Sequence, residues 1–420
     1  MYRRRKGGLW IFTLFASNEI PSVVVTFVAL VMFLQMGVGM TMATVYGAML
    51  LLPWAAQPLM RPQLLRLRDC NAGRRWILVT ECLMSMMLVL FALLMGGAPL
   101  RTLGMLMCIS CLAAWHDIVA RTYYGSLMGH MRGRWGDVVR TISSQTATVL
   151  TYGLMIMAVG VLEIYFRQKA MWYSWVLCCY LLAGVYMVFA VANMVLMEKA
   201  DTPFLPSVPH HRRRQWMMQS GMLAVLLLPQ GLMFFSRTIF LLARPQQGGL
   251  GCTLQEVGFA QGTIGVIAFL LGVTVGQRML YRWGAARTEL PLTVCLGLSP
   301  LVYLVMTRLH PEGLTVLSVY TFLAQLLFGL GLNGCRRRIE YISGERYRNV
   351  VNPLYIPIIS LCLLLPMACS GFLAERLSFH GLFLLDALCA PATWIAMAVV
   401  SLWQWRMIFV KRGTVTAKQE

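Results

Sequence analysis

Glu198-Lys199-Ala200-Asp201-Thr202-Pro203-Phe204-Leu205-Pro206-Ser207-Val208-Pro209-His210-His211-Arg212-Arg213-Arg214-Gln215 is the longest polar stretch in a chain of 420 residues, and it falls near the middle. On both sides the sequence is mostly apolar. Hydrophobic side chains make up 58% of the whole and charged ones 12%, against roughly 45–50% and 25% in an average soluble domain. Lipid is therefore the expected solvent. A spanning helix takes about 20 apolar residues, so twelve of them consume about 240. Spans are expected near 9–37, 42–60, 76–96, 102–127, 137–161, 172–197, 217–243, 255–280, 288–307, 314–335, 351–374 and 381–407. The central stretch divides these six and six: a first bundle over 1–197, a cytoplasmic loop over 198–215, a second bundle over 216–410 and a cytoplasmic tail over 411–420.

Two six-helix halves joined by one long basic loop are the arrangement of the major facilitator superfamily, whose halves are pseudo-repeats around a midplane site. The expected fold is all-α and integral to the membrane, with twelve transmembrane helices in two pseudo-symmetric bundles. Charge sets the orientation. Of the 36 Lys and Arg, 28 fall on one side, in the N-terminal run Arg3 to Lys6, the segments after even-numbered spans and the C-terminal end, and six fall on the other. Such a bias places the loaded side, with both termini, in the cytoplasm. Topology thus explains the net charge of +20, and nucleic acid is not an expected partner because no stacking platform accompanies it. Membrane lipids, a small-molecule substrate and a monomer are expected, with no cofactor and no metal. The twelve cysteines lie mostly inside apolar spans, where they pack as small soft residues. No nucleophile, base and orienting group converge, which argues against an enzyme.

Glycines Gly258, Gly262, Gly265, Gly272 and Gly276 run along the eighth span and predict close packing on a neighbouring helix. Pro53, Pro58, Pro229, Pro357 and Pro366 are expected to kink their spans.

Ionisable side chains at membrane depth cost roughly 2.5–3.5 kcal/mol each on insertion scales, so every one is a functional candidate. They are Glu19, Glu81, Asp117, Arg121 and Arg237, with Asp386 and Glu340 nearer the ends of their spans. Asp117 and Arg121 are one helical turn apart and can pair. Glu19 is expected to compete with Asp117 for the Arg121 guanidinium. A carboxylate that exchanges a proton for an arginine partner is a proton-coupling device; the other outcome is a static buried pair. Arg237, flanked by Phe234 and Phe235, suits an anionic ligand with ring faces, unless it snorkels toward the outer interface. Glu81 is expected either at the inner interface or paired with Arg74 or Arg75. In Leu67-Arg68-Asp69-Cys70-Asn71-Ala72-Gly73-Arg74-Arg75, Asp69 can hold a helix N-terminus while Arg74 and Arg75 latch the two halves together as a gate.

Several stretches resemble the AmpG-type muropeptide permeases. Ala114-Trp115-His116-Asp117-Ile118-Val119-Ala120-Arg121-Thr122-Tyr123 is similar to that family's fourth-helix segment, and Phe15-Ala16-Ser17-Asn18-Glu19-Ile20-Pro21 to its opening. Weaker matches run through Phe240 to Leu242, Glu256 to Gly258, Ser370 to Glu375 and His380 to Leu385. The resemblance implies inward, proton-driven transport of sugar-peptide fragments across the bacterial inner membrane. Arg121 stands where the family has a second aspartate, and its acids of the seventh and tenth helices fall near Gln230 and Ala324-Gln325. The expected proton sites are Asp117 and Glu19, and the expected substrate-binding residues are Arg121, Arg237, Tyr123, Gln230, Gln325 and Asn18. Efflux of amphipathic compounds, and a transporter-like sensor that binds without moving its ligand, remain open.

Overall fold

The computed structural model describes residues 2–64, 66–67, 69–128, 134–199, 213–343 and 355–416, and these are helical almost throughout. Most of the central polar stretch and the last four residues lie outside them. Among the described residues twelve helices follow one another. α1 is Tyr2–Val23, continued by a π-turn at Val24–Val28 and by Ala29–Gln35; α2 is Met40–Leu50 with a short extension, Leu52–Ala55; α3 is Cys70–Leu94; α4 is Pro99–Met128. α5 is Arg134–Thr148, a π-turn at Val149–Leu154, and Met155–Tyr165; α6 is Trp172–Leu196; α7 is Arg213–Leu242. α8 is Leu254–Phe259, a π-turn at Ala260–Ile264, and Gly265–Trp283; α9 is Ala285–Leu309; α10 is Leu314–Ser343. The backbone of Tyr355–Thr416 leaves the helical region at Ser378 (φ 62°, ψ 167°), with α11 before it and α12 after.

Among the described residues ten stretches are long and apolar enough to cross a membrane, the one over Ile358–Ile395 being divided by the Ser378 bend. The expected second span is the exception. Pro53 opens its short extension and Pro58 sits in a tight turn, Gln57–Met60. A proline has no N–H to give the preceding turn, so a regular helix cannot run through this region. The break turns Gln57 inward, where it is fully buried. Pro229 and Pro366 lie inside α7 and α11, which pack so closely here that a Cβ on Gly231 would come within 2.7 Å of the Pro366 ring.

The α8 glycines serve two neighbours rather than one. Gly258 and Gly262 face α5, where a Cβ on Gly262 would fall 2.6 Å from the Gly153 backbone; Gly272 and Gly276 face α10, against the Leu326 carbonyl and Asn333. The first contact joins the two halves of the chain. So does the end of α2 that follows the Gly37 turn: Thr41 donates from its N–H and hydroxyl to the Glu375 carboxylate at 3.0 and 2.6 Å. The halves are therefore closed against each other at the end of the bundle carrying the α1–α2, α7–α8 and α11–α12 links. Because the Gly262 contact is backbone on backbone, Gly262→Ala is expected to cost this closed arrangement about 1–3 kcal/mol. Hydrogen exchange should become faster over Gly153–Gly160 and Leu254–Gly262, with the rest of the bundle unchanged.

Candidate functional site

Polar side chains in the membrane region gather into three clusters. The first joins α1, α4 and the broken end of α2. Asp117 and Arg121 form a buried ion pair, exposed by 5% and 3%. Asn18 donates to Asp117 Oδ1 at 2.9 Å, and Gln57 Nε2 donates to Asp117 Oδ2 at 2.9 Å while its own carbonyl accepts from Arg121 Nη2 at 2.9 Å. Every neighbour of the Asp117 carboxylate is thus a donor, which is the arrangement an ionised carboxylate requires. Arg121 Nη1 and Asn18 Oδ1 are buried without a partner. Glu19 does not compete for Arg121. It is half-buried beside Ser144 of α5, within electrostatic reach of Asp117 but outside ion-pairing distance of any described cation. Successive residues on a helix point about 100° apart, so the chain can aim either Asn18 or Glu19 at Asp117, and it aims Asn18.

The second cluster surrounds Arg237. Its guanidinium lies 5.8 Å from the ring centre of Phe27, 5.6 Å from Phe234 and 6.0 Å from Phe328. The side chain is 8% exposed and points inward, so it does not snorkel to the interface. Among the described residues it has no ion pair and no hydrogen bond, and its Nε is buried without an acceptor. Beside it, the Tyr152 hydroxyl donates to Gln261 Oε1 at 2.8 Å and meets the Thr238 hydroxyl at 3.0 Å. Gln261 Nε2, the Tyr303 hydroxyl and the Thr321 hydroxyl are buried with no partner. Phe27, Tyr152 and Gln261 sit on the three π-turns of α1, α5 and α8. A π-turn displaces one residue from the i→i−4 ladder, and such turns gather where a helix must re-aim a side chain.

The third cluster is Ser17, Glu81 and Asn193, on α1, α3 and α6. Glu81 is fully buried, neither at the interface nor paired with an arginine. Arg74 instead donates to the Met194 carbonyl of α6, within the same half, and Arg75 is exposed. Asp69 caps its own helix, accepting from Ala72 N–H at 2.6 Å. In this arrangement Arg74 ties α3 to α6 and Asp69 caps α3, and among the described residues no hydrogen bond or ion pair joins Asp69, Arg74 or Arg75 to the second half.

The remaining expected binding residues disperse. The Tyr123 hydroxyl donates to the Glu198 carbonyl, and its ring packs edge-on to Trp10. Gln230 donates to the Leu296 carbonyl at 2.9 Å. Gln325 alone lies near the second cluster, beside Tyr303. Gln57, Tyr152 and Gln261 escape a sequence reading because uncharged polar residues are common in spans. For Gln57, the flanking Pro53 and Pro58 were the available signal.

No family model and no curated protein matches the chain. Solved structures do. A bacterial homologue of the human lysosomal transporter Spinster, inward-facing and unoccupied, matches with a TM-score of 0.58 at 14% identity, covering 96% of each chain. The nucleoside transporter NupG gives 0.58 at 12% identity, covering 94% of this chain and 98% of its own. A bacterial homologue of the iron transporter ferroportin gives 0.61 both inward-facing, at 13% identity over 96% and 99% of the chains, and outward-facing, at 14% over 94% and 98%. At these identities the likeness is one of fold: the chain shares the all-α fold of these solved transporters.

Proposed function

We propose that this chain is a secondary transporter that works by alternating access and binds an organic anion at Arg237. The carrying observation is that Arg237 is a buried cation with no counter-ion among the described residues. An unpaired charge out of water is expensive, and an anionic ligand offsets that cost. The surrounding side chains come from both halves, Phe27 and Tyr152 from the first and Phe234, Gln261 and Phe328 from the second, so a ligand held there touches both moving bodies. Aromatic faces suit sugar rings or other flat apolar surfaces, while Tyr303, Thr321 and Gln261 Nε2 offer unused polar atoms.

A cell-wall muropeptide, a sugar-peptide with carboxylates, fits this chemistry and agrees with the helix-4 resemblance. We assign import across a bacterial inner membrane, both termini cytoplasmic, driven by protons. The Asp117–Arg121 pair would be the coupling element, with Glu19 beside it: opening the pair frees the carboxylate to take a proton. The same aromatic walls also suit export of an amphipathic anion. Uptake of labelled anhydro-muropeptide into right-side-out and everted vesicles distinguishes these. Accumulation in right-side-out vesicles only when a proton gradient is imposed is expected, and no accumulation in either orientation by correctly folded protein would reject this substrate.

A further inference from the structure

The third cluster holds a buried carboxyl that the Asp117–Arg121 pair does not use, and among the described residues it has no counter-charge. The Ser17 hydroxyl has one hydrogen and three neighbours: the Leu14 carbonyl at 2.9 Å, Glu81 Oε1 at 2.6 Å and Asn193 Nδ2 at 3.2 Å. Leu14 can only accept and Asn193 Nδ2 can only donate. The single Ser17 hydrogen goes either to Glu81 Oε1 or to Leu14, and in the second case the 2.6 Å contact is filled by a hydrogen from Glu81. Asn193 Nδ2 donates to Glu81 Oε1 as well, at 2.5 Å. Glu81 Oε2 is buried with no partner, which is tolerable for a neutral acid and costly for a carboxylate.

The surroundings agree. From α6, Tyr186 and Asn193 face Glu81, and from α1, Ser17. From α4, His116 lies 2.8 Å from the hydroxyl of Thr80, the residue before Glu81. Thr80 is also within donating reach of the Trp76 and Ile77 carbonyls. Among the described residues no arginine or lysine comes within ion-pairing distance of Glu81.

We propose that Ser17, Glu81 and Asn193 form a proton-binding site between α1, α3 and α6, separate from Asp117 and occupied in this conformation. Asn193 turns its amide N–H₂ group, not its carbonyl, to the carboxyl oxygen and so offers a metal cation no ligand there. The site lies where α1 meets two helices of its own half, so loss of the proton places a bare charge at that packing and favours the opposite arrangement of α1.

Infrared spectra of the purified full-length protein test this without any transport substrate, so the result is independent of the Arg237 site. A protonated-carboxyl band is expected at neutral pH, reduced in Glu81→Gln and unchanged in Asp117→Asn, with Asp386→Asn included to subtract the other fully buried acid. Glu81→Gln keeps an acceptor and a donor in place and should fold. A folded Glu81→Gln protein with the full wild-type band would overturn the proposal. If that variant fails to fold, Ser17→Ala should shift the band by removing its hydrogen-bond partner, and an unshifted band would equally overturn it. Replacing sodium by choline is expected to leave the band as it was; a band that appears only on sodium removal would identify a cation site and contradict the proton.

Discussion

Arg237→Gln is expected to abolish binding of an anionic substrate while leaving the unliganded protein at least as stable as before. Losing one partner of a desolvated, hydrogen-bonded charge pair costs about 2–5 kcal/mol, a fall in affinity of roughly 30-fold or more. A structural cation behaves in the opposite way, since its removal orphans the acid it held. Here no described acid is orphaned, because Arg237 has no ion pair among the described residues. What the unliganded protein loses is the attraction of Phe27, Phe234 and Phe328 for the guanidinium, about 0.5–2 kcal/mol, against the relief of an unpaired buried charge. Arg237→Lys is expected to fall between the two, keeping the charge but not the planar fork that engages a carboxylate through two bonds. Thermal melting with and without ligand separates these outcomes: the ligand-induced rise in Tm should vanish in Arg237→Gln without a fall in the unliganded Tm.

Asp117→Asn should have the largest effect on stability. The substitution removes the counter-charge of Arg121 at a site exposed by only a few per cent. It also sets an amide N–H₂ among the donors of Asn18, Gln57 and Arg121, where at least one donor must face another. Breaking a buried pair in this way costs about 3–5 kcal/mol, read as a lower Tm and a lower yield of folded protein. Neutralising both partners, Asp117→Asn with Arg121→Gln, is expected to recover most of that stability. Proton-driven accumulation should remain lost in the double variant if the pair couples transport. Recovery of both stability and gradient-driven uptake would reduce the pair to a structural tie between α1, α2 and α4.

The fold was legible because lipid imposes it. Backbone polar groups must be satisfied within each segment, so apolar runs of spanning length declare themselves as helices, and among the described residues α2 departs at the prolines that were visible in advance. The rare charges were legible for the same reason: Asp117, Arg121 and Arg237 all turned out buried and clustered. What the sequence withheld was pairing. Whether Asn18 or Glu19 meets Asp117 depends on a helix rotation of about 100°, which composition does not record. Glu81 lies only five residues beyond Trp76 and six beyond Arg75, which suggested an interfacial ion pair. Its partners are instead Ser17 and Asn193, from α1 and α6. Tyr152 and Gln261 needed the π-turns of α5 and α8 to aim them at one another.

Equilibrium binding of labelled anhydro-muropeptide to the purified protein, compared with an analogue whose carboxylates are amidated, tests the role of Arg237 most directly. Wild-type protein should bind the carboxylate form and lose roughly 30-fold or more on amidation, and Arg237→Gln should bind both forms equally weakly. Equal affinity of wild type and Arg237→Gln for the carboxylate form would contradict an anion site at Arg237.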